Sequence, residues 1–244
     1  VKRGFWIALL AVLAFIAIFI ARMPAVWIIP THDAAATCAT IDGTLLSGAC
    51  GGLMVQRNPV GDVTWELHPA QLLFGRLAAH VTLTRGPATL STDVEAGFGQ
   101  HLTLRHLLAD LPLDPAVIPG VPTTLRGRAH VDVALARLEQ GALRELQGRI
   151  EAHDLQDRSG LVTPLGSYAV TFPGGAGETV GKIRDLDGPL AVEGTLRLTS
   201  QPGYEIEGLV AARTGAPPEL INNLRFLGSP DATGRRPFSV AGTF

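Results

Sequence analysis

At 244 residues the chain is long enough for one large domain or two small ones after its first apolar segment. Its 20 basic and 22 acidic side chains leave a formal charge of -2, which excludes the basic surface that a nucleic-acid partner requires. Charged residues are 17% of the chain against 46% hydrophobic, so a groove, a partner or a membrane is expected to cover part of the apolar surface.

Lys2 and Arg3 are followed by GFWIALLAVLAFIAIFIA, residues 4–21, all apolar or small and without charge. As a helix rising ~1.5 Å per residue this run is roughly 27 Å long, close to the ~30 Å hydrocarbon core of a bilayer. Lipid offers no partner to backbone groups, so a lone span is helical. The positive charges ahead of the run keep residues 1–3 cytoplasmic and send the remainder across, with Trp6 and Trp27 near the headgroup layers. The alternative is a cleaved signal peptide, whose apolar region is usually ~7 to 15 residues with a small-residue cleavage site close behind. Here Arg22, Pro24 and Pro30 precede the tripeptide Ala34-Ala35-Ala36, and a retained anchor is expected. Residues 22–36 have no amphipathic period and read as a linker; residues 37–244 read as one exported β-rich region.

Cys38 and Cys50 stand close together after the linker, with Asp42-Gly43 as a turn between them. In an oxidising compartment this spacing permits a disulfide; two free thiols are the alternative. No CxxC or Cys/His grouping with zinc-ligand spacing occurs.

Alternation then dominates. Residues 80–84, 130–134 and 195–199 each place apolar side chains on one face and polar ones on the other, the pattern of half-buried antiparallel strands. A glycine recurs at one phase of such stretches, at Gly48, Gly127, Gly148, Gly194, Gly208 and Gly242. Glycine inside a strand costs entropy and packing, so its recurrence predicts bends in a strongly curved sheet. With 28 Gly and 17 Pro the fold class is mainly β: a transmembrane helix, then a curved, mostly antiparallel sheet in the form of a half-barrel or β-groove, with a few short helices.

Residues 70–77 suggest a short apolar turn after Pro69. Residues 102–111 read as a helix, or as a strand followed by one, ended by Pro112. Trp65, on an alternating strand, is expected to pack against the turn carrying Leu72, Leu73 and Phe74, which makes these four residues the candidate packing or interface cluster. The clearest helix runs from Pro218 to Leu227: Leu220, Ile221, Leu224 and Leu227 share a face, Pro218 suits the first turn and Gly228 stops it. A last strand begins at Pro237.

The chemistry-bearing patterns are weak. GGAGETVGK at 174–182 has Ala176 where a phosphate loop needs its first glycine and Ile183 where it needs a hydroxyl. The histidines form no HExxH-like group, and the acidic pairs Asp154/Asp157 and Asp185/Asp187 sit in turn-like surroundings. No catalytic residue, metal ligand or cofactor site is expected.

Several motifs, in order, resemble one known family. They are G-T-x-x-S-G at Gly43 to Gly48, W-x-L-x-P followed by L-L-x-G-R-L at Trp65 to Leu77, and A-D-L-P-L at Ala109 to Leu113. D-G-P-L at Asp187 to Leu190 and L-G-x-P-D-x-x-G-R at Leu227 to Arg235 follow. With the N-terminal run, the chain resembles protein N of the type II (general) secretion pathway of Gram-negative bacteria. The resemblance implies a single-pass inner-membrane protein whose bulk is periplasmic, a non-enzymatic accessory to the export of folded proteins across the outer membrane through contacts with other secretion subunits. The family is also similar to the AsmA-like group, which implies as an alternative a lipid-binding or lipid-transfer module with an apolar groove.

Overall fold

The computed structural model describes residues 15, 19, 22–27, 36–56, 58–72, 74–97, 99–118, 121–160, 163–175, 179–199 and 203–243. The expected span 4–21 lies outside these residues except for Phe15 and Phe19, both helical. Among the described residues no helix is long and apolar enough to cross a membrane. The fold is mostly antiparallel β with few helices, and the chain divides into two compact units, 1–86 and 87–244.

In the first unit β1 (Ala36–Thr37) and β2 (Thr40–Gly43) both pair with β3 (Ser47–Val55), which pairs with β4 (Asn58–Leu67), and β4 with β5 (Leu77–Arg85). The two short strands are interrupted at Cys38, whose side chain is bonded to Cys50 on β3 with the Cα atoms 5.6 Å apart. Gly43, with φ at +89°, ends β2 and opens the turn that Thr44 N–H closes onto the Ser47 carbonyl at 2.8 Å. Before these strands, Ala25–Trp27 form a single 3-10 turn in which Ala25 is fully buried, and Leu45 N–H donates to the Met23 carbonyl. Met23 and Pro24 are therefore packed against the β2–β3 turn. A helix of four residues, Pro69–Leu72, joins β4 to β5.

The second unit is a meander. Its strands are β6 (Ala88–Gly97), β7 (His101–Pro112), β8 (Leu125–Glu139), β9 (Ala142–Asp157) and β10 (Thr163–Pro173). They continue as β11 (Val180–Asp187), β12 (Leu190–Leu198), β13 (Gly203–Ala212) and β14 (Arg236–Thr243). Each pairs antiparallel with the next, as short connections allow, and the described ladder ends at β14 without returning to β6. The core cluster is Val133, Ala136, Leu146 and Phe172, with Leu107, Ile150, Val170 and Leu196 packed around it. Cross-strand registers such as Val131 to Ile150, Ile150 to Val170 and Val170 to Ile183 keep these side chains on one face. The opposite face carries Asp132, Arg149, Thr171 and Lys182 in matching rows.

Residues 102–111 are strand, not helix. Leu104, Leu107, Leu108 and Leu111 have helical spacing because β7 carries an extra residue: Ser91 faces Leu108 while Asp93 faces Arg105. His106 takes φ at +49° there, and the bulge shifts the alternation by one residue, so two strand phases mimic a helical period. The C-terminal helix spans Pro218–Leu224 and finishes in tighter turns, with Phe226 N–H donating to the Asn223 carbonyl and Leu227 N–H to Leu224.

Candidate functional site

The side chains best placed to receive something lie in the second unit, on the apolar face of β11 to β14. Alternation sends Ile183, Val192, Ile206, Val210, Phe238 and Val240 to that face, and the registers Val192 to Val210 and Ile206 to Val240 align them across strands. The helix Pro218–Leu224 lies over β13 with Leu220 buried, and Leu224 and Leu227 close one side of an open pocket of about 440 Å³. That volume falls within the usual range for small-ligand sites. Tyr168 is the only lining side chain with a polar atom. Its hydroxyl donates to the Leu165 carbonyl at 2.6 Å, and burial, aided by the nearby Asp185 charge, raises its pKa above the ordinary phenol value.

One end of the pocket is held by charge. Asp185 accepts from Val192 N–H at 2.8 Å and is ion-paired with Arg213, whose guanidinium also donates to the Gly188 carbonyl at 3.2 Å. The β11–β12 turn is thereby tied to the end of β13. Asp157, the other acidic turn residue, accepts from the Ser159 backbone N–H and hydroxyl, which lowers its pKa.

The glycines divide into two kinds. Gly127 falls at a register shift between β8 and β9, and Gly148 lies opposite Val133, next to another. The remaining four sit in unbroken stretches of ladder, where the missing Cβ admits a neighbour. A Cβ on Gly48 would lie 2.5 Å from the Trp65 ring, and one on Gly242 2.7 Å from the Tyr204 hydroxyl. Gly194 and Gly208 face each other, and a Cβ on Gly208 would be 2.9 Å from the Phe238 ring. Phe172 lies between Gly148 on β9 and Gly181 on β11. Aromatic rings laid over strand glycines recover the packing that glycine forfeits. The aromatic partners lie nine to thirty-eight residues from their glycines in sequence, a pairing that only the register makes legible.

In the first unit the packing expected around Trp65 is different in kind. Its ring covers Gly48, and its Nε1–H donates to the Leu45 carbonyl at 3.1 Å. Leu72 and Phe74 are instead exposed, at 52% and 77%, and Leu73 lies outside the described residues. The strand register brings β3 next to β4, and Leu72, Phe74 and Leu77 lie on the surface.

Histidines meet carboxylates one at a time: His106 with Asp93 at 3.0 Å, His130 with Asp110 at 3.4 Å, His153 with Glu151 at 2.8 Å. Among the described residues no group of three His, Cys, Asp or Glu could hold a metal ion.

Against known proteins, the profile of the type II secretion system (T2SS) protein N family matches residues 34–239. The chain belongs to the T2SS protein N family. Two curated relatives, both named type II secretion system protein N, are similar to it. The one from Vibrio cholerae serotype O1 is 26% identical over 83% of this chain and 82% of its own. The one from Aeromonas hydrophila is 25% identical over 99% of both. No solved structure matches. As a T2SS protein N homologue the chain is a type II secretion component, with other secretion subunits as its implied partners. The matched region reaches into both units and includes the bridged cysteines and the residues lining the apolar pocket apart from Val240.

Proposed function

We propose that this T2SS component is a non-enzymatic accessory of the inner membrane, anchored by residues 4–21, with residues 37–244 in the periplasm. There it helps folded proteins leave through the outer membrane by contacting other secretion subunits. The observation that carries the reading is the family match over 34–239, joined by the apolar face of β11 to β14 as a surface suited to contacts. The bridged Cys38 and Cys50 suit an oxidising compartment. We further propose that the sheet of the second unit is strongly curved: Val133 and Phe172 are only 2% exposed in a unit that is otherwise a single-layer meander, and bending strands toward one another is how one layer encloses such side chains.

The test is deletion of the gene with complementation by the full chain. Secreted enzymes accumulate in the periplasm of the deletion strain, and complementation restores their export; unchanged export in the deletion strain contradicts the reading. Comparing the mass of the mature protein with that of its precursor decides between an anchor and a cleaved leader.

A second reading, an acyl-chain site in the same pocket, is favoured by its apolar lining. Phospholipid co-purified in stoichiometric amount and lost on placing a charge at Val192 supports it.

A further inference from the structure

The described ladder ends in a strand that is unusually open. The Gly203 carbonyl accepts from Thr199 N–H on the β12 side, which sets the phase of β13. Residues 204, 206, 208 and 210 therefore bond to 242, 240, 238 and 236 of β14, given the registers Tyr204 to Gly242 and Val210 to Arg236. The main-chain groups of Pro237, Ser239, Ala241 and Thr243 consequently point away from β13. Pro237 has no N–H to offer, and the 228 loop lies against its ring, so the proline end is blunted. Ser239, Ala241 and Thr243 remain, three consecutive outward donor–acceptor sets. No charge occurs between residues 237 and 243, and β14 has no bulge, so the usual devices against edge pairing stop at the proline. The edge of the first unit contrasts with it: β1 and β2 have two and four residues and are interrupted at the bridged Cys38.

We propose that β14 pairs antiparallel with β14 of a second copy of this chain, about a two-fold axis at Ala241. In that register Ala241 faces its own copy and Ser239 faces Thr243, so all three outward donors on each strand find carbonyls and both prolines stay outside the pairing. On the apolar face Val240, 48% exposed, falls opposite Gly242 of the second copy, beside the ring of Tyr204 that already covers that glycine. This repeats the side-chain-over-glycine packing found within the sheet. The uncharged edge meets itself without like-charge repulsion, which an edge bearing one sign of charge could not do.

The test is sedimentation of the full chain in detergent micelles, with Ala241→Pro and Ala241→Lys compared with the unmodified protein. Proline removes one outward N–H as Pro237 does, and lysine opposes two like charges at the axis. A dimer in the unmodified protein, weakened at least tenfold by both substitutions while the Cys38–Cys50 bridge and the circular dichroism spectrum persist, is expected. Ala241→Cys crosslinks under mild oxidation and Ser239→Cys does not, because opposed Ala241 Cα atoms come to about 5.5 Å, within the ~4.4–6.8 Å that a disulfide spans. A monomer throughout the micromolar range, a dimer indifferent to both Ala241 substitutions, or crosslinking of Ala241→Cys to another secretion subunit alone overturns the proposal.

Discussion

The two units solve the same problem with different means. The first is small, its buried apolar residues among those described are Ala25, Cys38, Cys50 and Ala78, and it is fastened by a covalent link. The second has a packed centre at Phe172 and Val133, with alternating strands extending its apolar face to β14. A short chain cannot bury enough surface to offset its ordering entropy, and a disulfide lowers the entropy of the unfolded chain instead. A longer meander accumulates a core strand by strand and leaves surplus apolar surface for a partner.

This contrast can be broken from either side. Phe172→Ala removes a buried ring laid over Gly181, and a loss of about 3–5 kcal/mol is expected. Hydrogen exchange should then lose protection across residues 87–244 and much less across 1–86. Equal loss in both units would mean that they are not separately stabilised. Replacing Cys38 and Cys50 with alanine should cost about 2–4 kcal/mol, with faster exchange confined to β1 to β4. Gly208→Val forces a side chain into space held by the Gly194 backbone and the Phe238 ring, and a destabilisation of about 1–3 kcal/mol by denaturant titration is expected. At the small end lies Glu151 on the polar face. Hydrogen bonds from His153 and then Arg149 hold its pKa below the ordinary glutamate range. A depressed folded-state value means its contribution is present above about pH 4.3 and is lost as pH falls through the lowered value. Glu151→Gln should lower stability slightly at neutral pH and flatten the acid limb, the two profiles converging as pH falls below the lowered value; a difference that persists there would show that the side chain has another role.

How much of this was legible depended on whether the determining contact was local. Residues 80–84, 130–134 and 195–199 fall within β5, β8 and β12 apart from Thr199, because alternation against a buried face needs no distant information. The helix at Pro218 carried its own start signal and period. Residues 102–111 were misread because one inserted residue at His106 converts two strand phases into a helical spacing. The contact of Trp65 with Gly48 is set by the pairing of β3 with β4 rather than by proximity in the chain, so it is not legible locally. The candidate pocket draws on β10 to β14 and a helix, so its lining residues could be listed as apolar from sequence but not brought together.

The central claim is that the apolar face of the second unit is the surface through which this secretion component works. Its most direct test is export of a secreted enzyme from cells carrying Ile206→Asp at native level, beside Thr195→Asp on the opposite face as control. The account predicts that Ile206→Asp retains the enzyme in the periplasm while the protein stays membrane-associated and bridged, and that Thr195→Asp exports normally. Normal export with Ile206→Asp, or equal failure with both, would contradict it.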